Sequence, residues 1–103
     1  MAEFVKAIAK SDLVAGDGTV VELQGKMIAI FDVDGAYYAM DDTCTHAGGP
    51  LSEGELDGTV VTCPWHGATF DVETGDVQGP PASDGVERYE VKTEGEDVLV
   101  KIE

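Results

Sequence analysis

The four soft metal ligands of this 103-residue chain fall in two short segments. Cys44 and His46 stand two positions apart, Cys63 and His66 stand three positions apart, and sixteen residues separate the two segments. The chain has no other cysteine or histidine. Each segment therefore offers one thiolate and one imidazole, close enough along the chain to reach a common centre. The predicted site is Cys2His2 in composition, which is a metal-binding set.

Four kinds of chemistry compete for these residues. Tetrahedral zinc commonly uses Cys2His2, but zinc fingers usually take both cysteines from one limb and both histidines from the other. A redox dithiol would be expected as Cys-x-x-Cys and would leave the histidines idle. A nucleophilic Cys–His pair would leave one residue of each kind unexplained. The fourth is a [2Fe–2S] cluster in which two histidines replace two cysteines on one iron. Mixed segments suit it best, because each supplies Cys to one iron and His to the other.

The elements that must position these segments are short β-strands. Asp34-Gly35 between two apolar runs is a strong hairpin signal, because both residues tolerate positive φ. No stretch has apolar residues at helical spacing over three turns, so no long helix is expected. Many short strands with frequent turns indicate an all-β sandwich or barrel, with strands expected at 4–10, 19–23, 26–33, 36–40, 59–62, 68–72, 76–77, 88–93 and 98–102. Each Cys–His segment follows a predicted strand, the first after 36–40 and the second after 59–62, and is therefore expected to be a loop.

Charge and hydropathy exclude several classes of protein. With 21 acids against 6 bases the net charge is -15, which does not suit binding to nucleic-acid phosphates. No apolar run approaches the roughly 18 residues of a membrane span, and the N-terminus lacks the features of a signal peptide. We therefore expect a soluble cytoplasmic protein. From Met27 to Glu87 the chain has twelve acids and no lysine or arginine. That stretch is either an acidic surface that favours solubility or a field that steers a basic partner.

The pattern Cys44-x-His46, then Cys63-Pro-x-His66-Gly, resembles the Rieske iron–sulfur signature. The resemblance extends over nearly the whole chain, including the late Gly79-Pro80-Pro81 segment. By its size the chain is similar to the small Rieske ferredoxins of bacterial aromatic-ring dioxygenases. The resemblance implies an antiparallel β-sandwich or barrel with a small cluster-binding subdomain formed by two loops. The expected organisation is one Rieske domain over 1–103, with the cluster-binding part at about 41–82.

The same resemblance implies the site and the function. Cys44 and Cys63 would hold one iron of a single [2Fe–2S] cluster, and His46 and His66 the outer iron near the surface. The chain would be a monomeric one-electron carrier rather than an enzyme, with no nucleic-acid or membrane partner. Its donor would be a flavin-containing NAD(P)H reductase and its acceptor a terminal Rieske oxygenase. A Rieske-like small subunit of a nitrite reductase is the alternative, and a zinc-stabilised binding module is the alternative of a different class.

Departures from the respiratory branch of the family carry further implications. That branch has an additional cysteine in each cluster loop. Here the slot in the first loop is Gly49 or a neighbour, and the slot in the second loop is Trp65. The respiratory branch also has a serine and a tyrosine whose hydroxyls donate to cluster sulfurs, where this chain has Ala68 and Phe70. Loss of these donors implies a potential near the low end of the Rieske range, about -150 mV. Trp65 would shield the cluster or contact a partner. Pro80-Pro81 is either an ordinary turn or, as the resemblance implies, a third loop over the cluster.

Overall fold

The computed structural model describes residues 3–13, 18–33, 35–43, 50–65, 67–79 and 85–102. Within these ranges the chain forms eleven β-strands and two single-turn 3-10 helices, at Lys10–Asp12 and Leu51–Glu53. The strands are β1 (Glu3–Ala9), β2 (Gly18–Leu23), β3 (Lys26–Val33), β4 (Ala36–Asp41), β5 (Glu55–Asp57), β6 (Val60–Thr62), β7 (Thr69–Asp71), β8 (Val77–Gly79), β9 (Arg88–Tyr89), β10 (Val91–Glu94) and β11 (Asp97–Ile102). None of the helices in this part of the chain is long and apolar enough to cross a membrane.

The strands form three antiparallel sheets. The outer sheet has the order β1-β11-β10, the central sheet β2-β3-β4-β9, and the small sheet β5-β6-β7-β8. Every pair of neighbouring strands is antiparallel. The architecture is the all-β antiparallel arrangement that the sequence predicts.

The central sheet is buried on both faces, because successive residues of a strand point to opposite sides. One face packs against the outer sheet in a cluster that includes Ile28, Ile30, Ala39, Val98, Val100 and Ile102. The other face packs against the small sheet in a second cluster that includes Ala29, Phe31, Met40, Leu51, Val61, Cys63, Phe70 and Val72. The small sheet and its loops thus rest on the sandwich, and the candidate cysteine Cys63 belongs to their shared core.

Several predicted strands are confirmed with small shifts of boundary. The hairpin of β3 and β4 has the expected register, with Val33 opposite Ala36, and Gly35 adopts φ +87°. Its other turn residue, Asp34, lies outside the described residues, as do two residues of the turn predicted at 16–18. The pairing of β7 with β8 across the turn at 73–75 is also confirmed, since Phe70 lies opposite Val77.

Three strand predictions need correction. The run 88–93 is two strands, because β9 pairs with β4 in the central sheet whereas β10 pairs with β11 in the outer sheet. Strand β5 was not predicted, since Leu56 is a single apolar residue between two acids, yet it pairs with β6. Finally, β1 ends at Ala9, and Lys10 begins a 3-10 turn rather than ending the strand.

Candidate metal centre

Cys63 lies at the foot of a hairpin loop, residues 63–68, which we call the second cluster loop. It joins β6 to β7, whose residues Thr62 and Thr69 lie directly opposite each other. The Cys63 N–H donates a hydrogen bond to the Ala68 carbonyl oxygen over 2.7 Å, which closes the loop. Gly67 adopts φ +79°, a conformation that side-chain-bearing residues rarely take. The loop therefore has a fixed base.

The second cluster loop has a buried foot and an exposed tip. Cys63 is only 1% exposed, and its Sγ accepts a hydrogen bond from the Trp65 backbone N–H over 3.4 Å. Such a donor stabilises negative charge on sulfur, which a thiolate ligand needs. Trp65 itself is 50% exposed, and Pro64 and Gly67 are exposed as well. The donor set fits a cluster that takes an inner thiolate from this loop.

The first cluster loop, residues 43–50, is closed at its ends in a different way. Thr43 and Pro50 form an isolated antiparallel bridge, and the Leu51 N–H donates to the Asp42 carbonyl oxygen over 2.6 Å. After the 3-10 turn the chain passes so close to β6 that a β-carbon at Gly54 would collide with the backbone oxygen of Thr62. Because Thr62 directly precedes Cys63, this contact sets the ends of the two cluster loops side by side.

Of the four predicted ligands, the structure describes Cys63. The other three, Cys44, His46 and His66, lie outside the described residues, so the full ligand set stays a prediction. Over the described ranges no group of three or more His, Cys, Asp or Glu side chains is placed to hold a metal ion. Pro80 and Pro81 of the predicted third loop also lie outside these ranges.

Comparison with known proteins decides the family. The model of the Rieske [2Fe-2S] domain matches residues 3–90 of the chain. The chain belongs to the Rieske [2Fe-2S] domain family. The prediction made from the two Cys–His segments is thereby confirmed at the level of the family and its cofactor, one [2Fe–2S] cluster.

Relatives of similar length share this domain. The ferredoxin component of the naphthalene 1,2-dioxygenase system of Pseudomonas putida is 36% identical over 97% of this chain and 96% of its own length. The biphenyl dioxygenase ferredoxin subunit of a Pseudomonas species is 42% identical over 94% of this chain and 90% of its own length. A chain in the solved complex of reduced oxygenase and oxidized ferredoxin in carbazole 1,9a-dioxygenase is 38% identical, with a TM-score of 0.88 over 94% of this chain and 91% of that one.

These similarities identify the chain as a Rieske ferredoxin, an electron carrier rather than a catalytic component. The zinc-stabilised binding module considered from the sequence is therefore wrong. A putative small subunit of an NADPH nitrite reductase has the same fold, with a TM-score of 0.82 at 21% identity over 95% of this chain and 97% of that one. That likeness concerns the fold alone.

Two residues that the family resemblance singled out are now placed in this ferredoxin. Ala68 and Phe70 are fully buried and belong to the same core cluster as Cys63. Ala68 is also joined to Cys63 by the hydrogen bond that closes the second cluster loop. A hydroxyl added at either position would therefore be enclosed in the core that surrounds the cysteine.

Sequence reasoning did not single out Asp42 or Gly54, although both hold the cluster loops. Asp42 was one of twelve acids in a row without a base, so nothing marked it as buried. Gly54 was one of 13 glycines, and its close approach to Thr62 depends on the unpredicted strand β5, which follows it directly. Neither role has a sequence signal apart from the fold.

Charge is unevenly paired in the ferredoxin. The ion pairs among the described residues are Lys6–Asp97, Lys92–Glu94 and Lys101–Glu90, at 3.3 to 3.7 Å, and all involve the outer sheet or the residue just before it. The exposed acids of the small sheet and its turns form no ion pair in this part of the structure; they are Glu53, Glu55, Asp57, Glu73 and Asp76. The small sheet thus carries uncompensated negative charge, and of these acids Glu55 lies at the end that leads to Cys63, since it pairs with Thr62.

Tyr89 fixes the last residue of β4 before the first cluster loop. Its hydroxyl donates a 2.6 Å hydrogen bond to Oδ1 of Asp41. The pKa of Tyr89 is raised well above its usual value. Burial is the largest cause, followed by the hydrogen bond to Asp41 and the negative charges of Asp41 and Glu87. The phenol is therefore held protonated in the folded state.

Tyr89→Phe should lower the free energy of unfolding by about 1.5 kcal/mol at pH 7, because a hydrogen bond to a charged group is lost. The raised pKa means that this contribution is complete below about pH 10, where the unfolded tyrosine is still protonated, and falls as pH rises further. Urea unfolding of both proteins at pH 7 and at pH 11 checks this. A difference that grows at pH 11 would contradict the assigned direction.

Proposed function

We propose that this ferredoxin is a soluble cytoplasmic carrier that takes single electrons from a flavin-containing NAD(P)H reductase and delivers them to a terminal Rieske oxygenase acting on aromatic compounds. The observation that carries this proposal is the second cluster loop, in which Cys63 is buried and Trp65, two residues later, is exposed. Support also comes from the ferredoxin components that match nearly the full chain. The bound [2Fe–2S] cluster supplies one-electron chemistry at this loop.

The residues of the two cluster loops would divide the work. Cys44 and Cys63 would hold the inner iron, and His46 and His66 the outer iron at the electron port. The burial of Cys63 and the exposure of its neighbours Trp65 and Gly67 support this assignment. Trp65 would then contact the partner, since its indole is amphipathic and such residues are enriched at interfaces.

A reconstituted electron-transfer assay tests the proposal. The ferredoxin is reduced by NADH through the reductase of a biphenyl or naphthalene dioxygenase system and then mixed in a stopped-flow instrument with the matching oxidised oxygenase. We expect reduction by the reductase and fast reoxidation by the oxygenase. Both steps are monitored through the visible absorption of the ferredoxin. Reduction by dithionite without reoxidation by either oxygenase, together with fast reoxidation by a sirohaem nitrite reductase, would overturn the proposal in favour of the alternative carrier.

Salt should slow this electron transfer several-fold. The field of the uncompensated acids reaches about 10 Å at 0.1 M salt but about 3 Å at 1 M, and steering of encounter depends on that reach. The measurement is the second-order rate constant for reoxidation by the oxygenase at both salt concentrations. A rate constant that does not depend on salt would show that the acids do not steer the partner and serve solubility instead.

Two charge variants locate the effect. Each neutralises two exposed acids, so the change in net charge is matched. We expect slower transfer at 0.1 M salt when the acids lie next to the cluster loops, as in Glu53→Gln/Glu55→Gln, than when they lie elsewhere, as in Glu3→Gln/Glu22→Gln. Equal slowing by both double variants would show that only net charge matters.

A further inference from the structure

Asp42 is a buried carboxylate at the junction of the central sheet and the first cluster loop. It is 7% exposed, and each of its polar groups reaches a different residue. Its N–H donates to the Met27 carbonyl oxygen of β3 over 3.0 Å. Its own carbonyl oxygen accepts from the Leu51 N–H over 2.6 Å, and its Oδ1 accepts from the Ser52 N–H over 2.7 Å. One residue therefore ties the end of the loop to its beginning and both to the sheet.

We infer that Asp42 is a positioning residue for the cluster: its side chain holds the first cluster loop closed. The first N–H groups of a helical turn have no partner within the turn, so the turn at Leu51–Glu53 needs acceptors from elsewhere. Asp42 supplies them from two residues before Cys44. The inference rests on the proposed role of Cys44 and His46 as ligands, because the loop that Asp42 closes carries both.

The side-chain acceptor matters because the Ser52 amide belongs to a residue that is itself buried, also at 7% exposure. A buried N–H without an acceptor carries its full desolvation cost, which exceeds the net gain from making the bond. No lysine, arginine or histidine forms an ion pair with Asp42 among the described residues. The carboxylate acts here as an acceptor rather than as half of a salt bridge. An asparagine can replace it in that role, whereas an alanine cannot.

Release of the cluster to an excess of iron chelator measures the closure of the loop directly. The loaded protein is followed by its visible absorption, well below its thermal midpoint, in the wild type, Asp42→Ala, Asp42→Asn and Ser52→Ala. We expect roughly tenfold faster release from Asp42→Ala, equivalent to about 1.4 kcal/mol, together with a changed electron paramagnetic resonance spectrum of the reduced cluster. Asp42→Asn should release its cluster at a rate within about twofold of the wild type and should show the wild-type spectrum. Ser52→Ala should match the wild type, because the donor is the backbone N–H.

A remote variant separates positioning from general loss of stability. Val98→Ala makes a cavity in the core between the central and outer sheets and should lower the thermal midpoint. We expect its cluster release and its spectrum to stay as in the wild type at the same temperature. Release from Val98→Ala as fast as from Asp42→Ala would overturn the inference, and so would wild-type release from Asp42→Ala. Equal impairment of Asp42→Asn and Asp42→Ala would also overturn it, since charge rather than the acceptor would then matter.

Hydrogen exchange supplies a test that does not depend on the folding of Asp42→Ala. In the loaded wild type, mass spectrometry of a peptide spanning 50–54 should show the Leu51 and Ser52 amides protected, and Asp42→Asn should keep that protection. Unprotected exchange of these amides in the loaded wild type would overturn the inference. The proposed function fails separately: it falls if the wild type carries a cluster but is not reoxidised by an oxygenase, whatever the Asp42 variants do.

Discussion

Replacing Cys63 with serine will abolish assembly of the [2Fe–2S] cluster. The Cys63 sulfur is buried in the core and accepts a hydrogen bond from the Trp65 backbone N–H, which is the setting of a charged sulfur ligand rather than of an exposed thiol. A serine hydroxyl has a far higher pKa and is a poor ligand for iron, which in such clusters is held by thiolates. Because the binding energy of a metal site is also folding energy, the second cluster loop should lose its order as well.

Metal and sulfide analysis of protein purified without oxygen or chelator checks this result. The wild type should contain two irons and two acid-labile sulfides per chain with negligible zinc, and Cys63→Ser almost none of either. Thr62→Ser is the matched control, since it changes the preceding residue of the same loop base and should keep the full cluster. A coloured, iron-loaded Cys63→Ser protein would mean that the ligand assignment is wrong. Stoichiometric zinc without sulfide in the wild type would contradict the cluster itself.

The parts of the fold that the sequence predicts well are those with a local cause. The hairpin of β3 and β4 follows from the continuous apolar runs on either side of Asp34-Gly35, and β11 from the alternating pattern that buries Val98, Val100 and Ile102. The division of 88–93 between two sheets has no such cause. Arg88–Tyr89 and Val91–Glu94 read as one run, and only the packing of the outer sheet on the central sheet makes the chain change partners at Glu90.

The same distinction applies to the candidate site. The ligand types and their spacing point to mixed Cys–His coordination before any fold is known. The residues that bring the loops together do so through contacts distant in sequence, such as the Asp42 side chain with the Ser52 amide and Gly54 with the backbone of Thr62. Those contacts depend on how the small sheet sits on the central sheet, and composition and spacing carry no information about that.

Restoring hydroxyls at two buried positions should raise the midpoint potential of this ferredoxin. Ala68 and Phe70 share the core cluster of Cys63, and the family resemblance would place them in the slots in which the respiratory branch has a serine and a tyrosine. Reduction adds one negative charge to the cluster, so a donor to its sulfurs stabilises the reduced state more than the oxidised one. Hydrogen bonds to charged groups contribute roughly 1.5–3 kcal/mol, and we take the difference between redox states as about 1 kcal/mol.

Since a tenfold change in a one-electron equilibrium is 59 mV, about 1 kcal/mol corresponds to a rise of about 40 mV each for Ala68→Ser and Phe70→Tyr. The double variant should rise by about 80 mV if the two donors do not share an acceptor. Voltammetry at one pH and salt concentration measures the shift. Val98→Thr is the control, because it adds a buried hydroxyl to the core cluster that does not contain Cys63 and should leave the potential unchanged. A zero or downward shift in both single variants, with intact clusters, would show that the strand leaving the second cluster loop does not face the cluster sulfurs.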